Sequence, residues 1–171
     1  AARRVQTMTL LILGLIFGYA VGAFVNILLN FSIAERIQVY IAWTFGSFGG
    51  TTWSDLRVFA PTLVAALAIA AVMAKPLNAL LLGEDYARSM GLNVRRARLW
   101  IIASASLSAG TVTAFCGPIG FLGIAIPHLC RGLFGTSDHR VLITAVILLG
   151  GTLSLVADLL AQVHGSQIVL P

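Results

Sequence analysis

Asp158 is the residue of this sequence with the clearest capacity for chemistry, because it is a carboxylic acid within a long apolar run. It belongs to a series at every fourth position, which shares one face of a helix: Gly150, Ser154, Asp158 and Gln162. An ionisable group in such a run is costly to expose to hydrocarbon, so it has to face protein or water. The carboxylate is either a proton or cation site or, as we favour, a hydrogen-bonded group in helix packing.

The histidines and cysteines form no pattern that indicates catalysis or metal binding. His128 and His139 fall at one end of the apolar runs and His164 at the other, so they do not form one site. No acidic residue lies near His128 in the sequence, and we interpret the nearby Cys130 as a packing residue, so we expect no metal site. Cys116 and Cys130 lie near opposite ends of one run, which predicts packing residues and no disulfide. A hydrolase site is therefore not indicated.

Composition assigns the chain to the membrane proteins. Of its 171 residues, 58% are hydrophobic and 10% are charged. The mean hydropathy of +0.96 is far above that of soluble domains. A net charge of +5 could indicate nucleic acid. The basic residues instead lie in short loops between apolar runs, without a pattern of aromatic residues for bases, so we expect no nucleic-acid partner.

Five apolar runs approach or reach the roughly 17 to 25 residues with which a helix crosses a bilayer. They extend over residues 8–31, 58–74, 99–115, 119–134 and 141–162. The fourth is the weakest, since it is short and contains Pro127. Because helices satisfy their own backbone hydrogen bonds in lipid, the sequence predicts an all-α fold, a polytopic transmembrane helical bundle with five visible spans.

The distribution of Lys and Arg assigns the loops to the two sides of the membrane. Nine of the eleven lie in segments that five crossings bring to one side, and only Arg36 and Arg57 lie on the other. Since positive charge is concentrated in cytoplasmic loops, residues 75–98 are predicted to be cytoplasmic and residues 32–57 external. The chain is then expected to begin inside and to end outside.

The first run carries a stripe of small and amide side chains at every fourth position. Small residues at this spacing let a neighbouring helix approach closely, and amides can hydrogen-bond across the contact. We favour this packing role over the alternative, in which the stripe lines a substrate path. Its members are Gly14, Gly18, Gly22, Asn26 and Asn30.

The external loop contains a candidate for a short amphipathic helix, residues 33–43. A stretch rich in glycine and aromatic residues follows it and ends at Trp53. Such a helix can gate a pathway, or it can act as an interfacial plug that does not move. The sequence leaves both roles open.

The cytoplasmic loop is the most specific segment of the chain. Pro76 is predicted to open a short helix that ends at Gly83, and Glu84 to begin a second one that ends at Gly91. Arg88 lies four residues after Glu84, which favours a salt bridge. A solvated connector would explain the charges alone. A docking surface also explains the apolar residues beside them, Leu77, Leu80, Leu81 and Met90.

Four segments, in this order and over nearly the whole chain, are similar to one known family. It is the permease family of iron–siderophore, haem and cobalamin importers of the ABC type. The segments are Leu82-Gly83-Glu84-Asp85-Tyr86-Ala87-Arg88-Ser89-Met90-Gly91, Gly117-Pro118-Ile119-Gly120-Phe121 with its continuation to Arg131, Asp138-His139-Arg140, and Ala157-Asp158-Leu159-Leu160.

The resemblance implies a ten-helix permease, of which residues 1–171 are a single-domain fragment covering about the fifth to ninth helices. Such subunits work as homodimers or heterodimers in the lipid of a bacterial or archaeal cytoplasmic membrane. Their partners are cytoplasmic ATPase subunits and an external substrate-binding protein. Within the cytoplasmic loop 75–98, the coupling helices that seat in the ATPase correspond to residues 77–91, and residues 33–40 resemble a short external helix. The implied coupling residues are Leu77, Asn78, Leu81, Gly83, Glu84, Ala87, Arg88, Met90 and Gly91.

Two positions depart from the family pattern. Many relatives carry Arg four residues after the acid of the ninth span, where it pairs with the binding protein, whereas this chain has Gln162. Gln162 is therefore the candidate docking residue, but it lacks the charge for that salt bridge. Thr144 stands where relatives usually have Pro, which predicts a less kinked beginning of that helix.

The resemblance thus implies a translocation subunit of an ATP-driven importer for iron–siderophore, haem, cobalamin or a similar metal chelate. We expect neither enzymatic activity nor a cofactor in this chain. The 171 residues contain no Gly-rich loop ending in Gly-Lys-Ser or Gly-Lys-Thr, so ATP and magnesium are expected in the partner ATPase. The alternative is a secondary transporter that is coupled to protons or sodium through Asp158.

Overall fold

The structure, a computed structural model, describes the backbone of residues 2–165 and the side chains of residues 8, 9 and 11–160. The regular structure of this part of the chain is entirely α-helical, which confirms the predicted fold class. Its helices are α1 (Ala2–Asn30), α2 (Ala34–Thr44), α3 (Trp53–Val72), α4 (Ala74–Leu81), α5 (Glu84–Ser89), α6 (Val94–Cys116), α7 (Gly120–Phe134) and α8 (His139–Gly165).

Four helices in the described residues are long and apolar enough to cross a membrane, namely α1, α3, α6 and α8. The apolar helix α7 has 15 residues, fewer than the roughly 20 that a bilayer crossing needs. It corresponds to the weakest of the predicted spans and contains Pro127 in its interior. All five predicted spans are therefore helices, of which one is short.

The chain divides into two compact units, residues 1–42 and 43–171. In the first unit, a short turn follows α1, and there the Ser32 hydroxyl donates to the Leu28 carbonyl oxygen at 2.8 Å. The described side chains of α1 include no buried one, and Phe17 and Tyr19 are among the most exposed. A helix that is apolar all round is typical of one that contacts lipid or other transmembrane helices.

In the second unit, α3 and α6 pack against each other as an antiparallel pair. Near the middle, the buried Ser104 hydroxyl donates to the Ala66 carbonyl oxygen at 2.9 Å. Ala66 is fully buried, and small side chains of this kind let two helix backbones approach. Towards the predicted external end, the rings of Phe59 and Phe115 meet edge-to-face with their centroids 5.4 Å apart.

The other pair of the second unit consists of α7 and α8, which pack around a small apolar core. Cys130 is fully buried in it, beside Ile126 and Leu142. Gly150 faces Ile126 across this contact, and a Cβ at Gly150 would lie 3.4 Å from the Ile126 Cδ1, an ordinary van der Waals distance. Cys116 is buried as well, and the thiols of Cys116 and Cys130 are both free.

Two helices begin earlier than hydropathy predicted. α3 starts at Trp53 rather than at residue 58, because Thr52 and Asp55 form a capping box that satisfies its first backbone N–H groups. α6 starts at Val94 rather than at residue 99, because the Asn93 side chain accepts from the backbone N–H of Arg96 at 3.1 Å. The last five residues of the segment 75–98 therefore belong to α6, and the cytoplasmic location of the segment stays a prediction.

The loop after α2 crosses the α6–α7 turn at short range. The Trp43 indole N–H donates to the Ala114 carbonyl oxygen at 3.2 Å. The Ser47 backbone N–H donates to the Cys116 carbonyl oxygen at 2.8 Å. Gly117, at the crossing, has φ +79°, and a Cβ there would overlap the Trp43 carbonyl oxygen. Glycine is therefore required at this position both by backbone conformation and by space.

We expect Gly117→Ala to lower the free energy of unfolding by about 2 kcal/mol or more, through the strained φ and the overlap with Trp43. Gly132→Ala is the control, because a Cβ at Gly132 within α7 would have nothing within 4 Å. Alanine favours a helix interior by up to about 1 kcal/mol. Thermal unfolding in detergent micelles measures both variants. An unchanged melting temperature for Gly117→Ala would contradict the close crossing.

Candidate functional site

The helical hairpin 74–91, which comprises α4 and α5, is the segment that the sequence placed in the cytoplasm. Met73 both ends α3 and begins α4. The interruption follows from Pro76, which has no N–H to donate to the Val72 carbonyl oxygen four residues earlier. α4 begins at Ala74, slightly before the predicted start, so that Pro76 lies in its first turn, where no N–H is needed.

Two glycines bound α5, as the sequence predicts. Gly83 precedes it with φ +109° and Gly91 follows it with φ +84°, both values that favour glycine. After α5, the Gly91 N–H donates to the Arg88 carbonyl oxygen at 2.9 Å, and the Leu92 N–H donates to the Ala87 carbonyl oxygen at 3.0 Å. This pair of bonds is the Schellman motif, which ends a helix at glycine.

Glu84 attaches α5 to the beginning of α6. Its carboxylate accepts a hydrogen bond from Arg98 of α6, and it lies 3.5 Å from Arg88, the partner predicted from the spacing. The Glu84 side chain is only 22% exposed, so its carboxylate lies at the base of the hairpin. Ion pairs with exposed arginines contribute little stability. Their effect here is to fix the orientation of α5 relative to α6, and the contact with Arg98 was not predicted.

Asn78 attaches α4 to the beginning of α8. Its Nδ2 donates to the Asp138 Oδ1 at 2.6 Å. Its Oδ1 accepts from the backbone N–H of His139 at 2.8 Å and lies 2.9 Å from the His139 Nδ1. Asp138 is the cap of α8, since its Oδ1 also accepts from the Arg140 N–H at 2.9 Å. An acid directly before an apolar run signals such a cap in the sequence, but the contact with Asn78 has no local signal.

The hairpin 74–91 exposes four large apolar side chains. The exposed fraction is 56% for Leu81, 67% for Leu82, 50% for Tyr86 and 57% for Met90. Ala87, in contrast, is fully buried. Apolar side chains grouped with charged ones at one end of a bundle are typical of a contact surface for another protein.

The nine predicted coupling residues divide into two groups by exposure. Ala87 is buried, and Leu77, Asn78 and Glu84 are half-buried, so these four are suited to positioning the hairpin. The other five are exposed and are suited to direct contact with a partner. They are Leu81, Gly83, Arg88, Met90 and Gly91.

A cavity of about 270 Å³ adjoins Asp158 at the predicted external end of the second unit. Ser154, one turn before Asp158, and Asp158 itself are half-buried. Gln162, the predicted docking residue, lies outside the described side chains. The contact between the loop after α2 and Asp158 was not predicted from the sequence. The cavity is lined by Phe45, Gly46, Ser47, Phe48, Pro118, Ile119, Leu122, Ala157 and Asp158.

The stripe of small and amide side chains on α1 has free space around it in the part of the chain that the structure describes. A Cβ at Gly14, Gly18 or Gly22 would have no atom outside the local helix backbone within 4 Å. Asn26 and Asn30 are exposed as well. The choice between helix packing and lining of a substrate path therefore stays a prediction.

The described residues contain no group of three or more His, Cys, Asp or Glu side chains that could hold a metal ion.

The profile described as the FecCD transport family matches residues 1–171. The chain belongs to the FecCD transport family. It is similar to the vitamin B12 import system permease protein BtuC of Klebsiella pneumoniae subsp. pneumoniae, with 34% identity over 100% of this chain and 51% of that protein. The hemin transport system permease protein HmuU of Yersinia pestis is 35% identical over 90% of this chain and 46% of that protein.

A solved structure described as an inward-facing conformation of a metal-chelate type ABC transporter has a TM-score of 0.79 with this FecCD chain. The two are 31% identical, and the match covers 92% of this chain and 51% of that one. The chain thus spans about half the length of the curated relatives it matches. The family and the multi-pass transmembrane fold predicted from the sequence are confirmed.

Thr144 is one of the two positions at which this FecCD chain was expected to depart from its relatives. Its hydroxyl donates to the Arg140 carbonyl oxygen at 3.2 Å. α8 runs through this position from His139 as one helix. Unlike proline, threonine keeps its backbone N–H, so it does not interrupt the helix.

Asp138 gives this FecCD chain a pH-dependent helix cap. The Arg140 backbone N–H, followed by the Asn78 amide, lowers the pKa of the Asp138 carboxyl below its usual value. The charged form therefore stabilises the fold above the ordinary pKa of about 3.9, and this contribution is lost as the pH falls through the lowered value. We expect the melting temperature of Asp138→Ala to lie below that of the native protein by a constant amount from about pH 5 to 8.

The same difference should shrink as the pH falls below the ordinary pKa of aspartate, as followed by thermal unfolding in micelles. Asp85→Ala is the control for the loss of a surface carboxylate, since the Asp85 side chain is 91% exposed. A difference for Asp138→Ala that grew in acid would contradict the assigned cap.

Proposed function

We propose that this FecCD chain is the translocating part of a permease subunit in an ATP-driven importer. Its cargo would be a metal chelate such as an iron–siderophore, haem or cobalamin. The observation that carries the proposal is the hairpin 74–91, which exposes apolar and charged side chains at one end of a multi-pass membrane protein. Family membership and the relatives named for vitamin B12 and hemin transport support it.

The proposed partners lie on both sides of a bacterial or archaeal cytoplasmic membrane. The hairpin 74–91 contacts a cytoplasmic ATPase subunit, which binds ATP and magnesium. The predicted external end meets a substrate-binding protein. A second permease subunit, identical or different, completes the translocation pathway. The solved relative described as a metal-chelate type ABC transporter supports an assembly of this kind.

Transport in this proposal involves no covalent step in the chain itself. Closure of the ATPases displaces the hairpin 74–91. α4 continues into α3 through the single residue Met73, and α5 is held to α6 by Glu84 and Arg98. Displacement therefore reaches both members of the α3–α6 pair. Their tilt shifts the populations of the outward-open and inward-open states.

We expect Met90→Glu to reduce ATP-driven uptake at least about tenfold, because burying an unpaired carboxylate in an apolar contact costs more than about 1.4 kcal/mol. Met90 is suited to this test because it is 57% exposed, so the substitution spares the fold. Uptake is measured in proteoliposomes with the full-length permease, its ATPase and its binding protein.

Met90→Leu, which keeps an apolar side chain of similar volume, is the matched control and should transport at nearly the native rate. Native uptake by Met90→Glu, with undiminished ATP turnover, would count against hairpin 74–91 as the contact with the ATPase.

The cavity beside Asp158 favours a second candidate, a secondary transporter coupled to protons or sodium. A half-buried carboxylate next to a cavity of about 270 Å³ has the charge and the space that a bound cation needs. This candidate differs from the importer in its energy source. It requires uptake that depends on an ion gradient and not on ATP.

Asp158→Asn distinguishes the two candidates, because it removes the charge and keeps the shape of the side chain. For the importer we expect uptake within about threefold of native, since an amide still forms the hydrogen bonds of a packing residue. Uptake should also continue when the ion gradient is collapsed and stop when ATP is depleted. Ser154→Ala, one turn away, is the control for local packing. Abolished uptake in Asp158→Asn, with dependence on the gradient alone, would favour the secondary transporter.

A further inference from the structure

The first turn of α8 is capped by two side chains from different parts of the chain. A helix begins with backbone N–H groups that have no partner within the helix. Asp138, directly before α8, accepts from the N–H of Arg140. Asn78, in α4, accepts from the N–H of His139. The coupling-helix candidate thus completes the cap of a transmembrane helix that begins about 60 residues later in the sequence.

The orientation of the Asn78 amide is fixed by its partners. A backbone N–H can only donate, so the atom facing the His139 N–H must be the amide oxygen. The amide nitrogen then faces the Asp138 carboxylate, which can only accept when ionised. The His139 ring also lies with Nδ1 at 2.9 Å from the amide oxygen, which places a proton on Nδ1. Donors and acceptors match at all three contacts.

The hydrogen bonds of Asn78 connect the hairpin 74–91 to the α7–α8 pair of the second unit. The chain leads from the hairpin directly into α3 and α6, whereas α7 and α8 form their own pair around Cys130. α4 packs against α8, and Asn78 supplies the side-chain hydrogen bonds of that contact. The two residues that Asn78 bonds are Asp138, the cap directly before α8, and His139, the first residue of α8.

We propose that Asn78 is the positioning residue through which movement of the hairpin 74–91 is passed to α8. This inference rests on the proposed function, in which a partner ATPase displaces the hairpin. At about 1.5 Å per residue, the helix carries a displacement of its first turn some 30 Å along its axis. The cavity with Asp158 lies at that distant end. Asn78 thereby connects the ATPase side of the protein to the predicted external side.

The test compares two asparagines that cap helices at the same predicted side of the membrane. Asn78 caps α8 from another helix, whereas Asn93 caps its own helix, α6, through the N–H of Arg96. Asn78→Ala and Asn93→Ala each remove one cap. Uptake and ATP hydrolysis are measured together in proteoliposomes that contain the full-length permease, its ATPase and its binding protein.

We expect Asn78→Ala to lower the uptake per ATP hydrolysed by about tenfold, and Asn93→Ala to lower the melting temperature without lowering that ratio. An unchanged ratio in Asn78→Ala would overturn the proposal. So would equal losses in both variants, because these would indicate a purely structural role for each cap.

Asn78→Asp adds a readout that a purely structural role would not give. At neutral pH two carboxylates face each other, and this repulsion raises the pKa of the pair. In acid, the protonated acid at position 78 again offers a donor to Asp138 and an acceptor to His139. We expect the uptake per ATP hydrolysed of Asn78→Asp to be about tenfold low near pH 7 and to recover to within about threefold of native as the pH falls to about 5, where a close pair of carboxylates takes up a proton.

Each value is taken relative to the native protein at the same pH, because His139, Arg140 and, from α7, Arg131 lie near the pair. A ratio that stayed constant with pH would contradict the role of Asn78. If Met90→Glu abolishes ATP-driven uptake while both Asn78 variants remain coupled, the present inference fails and the proposed function stands. If Met90→Glu also has no effect, the proposed function fails.

Discussion

The need to satisfy backbone N–H groups at the beginnings of helices determines how this chain is assembled. Along their lengths the transmembrane helices are apolar and offer few directional contacts, whereas their first turns leave N–H groups without partners. Thr52, Asn93 and Asp138 supply acceptors for α3, α6 and α8. Loss of such a capping side chain typically costs about 0.5–2 kcal/mol. These polar contacts therefore fix where each helix begins and, through Asn78, which other helix lies beside it.

Local signals in the sequence were sufficient to predict the fold class, the five apolar runs and the two short helices that Pro76, Gly83 and Gly91 delimit. Hydropathy, proline and glycine act within a few residues, so their effects can be predicted without knowledge of the packing. The starts of α3 and α6 were predicted too late, because the side chains that cap them lie outside the apolar runs. A capping side chain such as Asn93 extends a helix into polar sequence, where hydropathy gives no signal.

The candidate site could be predicted as a segment but not as a set of contacts. Glu84 was expected to pair with Arg88, and it also bonds Arg98 in the next helix. Asn78 was expected to face a partner protein, and it is half-buried against the beginning of α8. These differences arise because the packing of α4 and α5 on their neighbours brings together residues that no sequence periodicity relates. The cavity beside Asp158 depends in the same way on a distant loop.

A single residue, Met73, connects α3 to α4. The length of this connection therefore determines how far α4 is rotated about its own axis relative to α3. The backbone N–H of Met73 donates to Ile69 and the Leu77 N–H donates to Met73, so one turn leads almost directly into the next. An α-helix rotates by about 100° for each residue. An insertion or deletion between Met73 and Asn78 would therefore turn the Asn78 amide away from Asp138, whatever residue was added or lost. The length of this connection, more than the identity of its side chains, is thus under structural constraint.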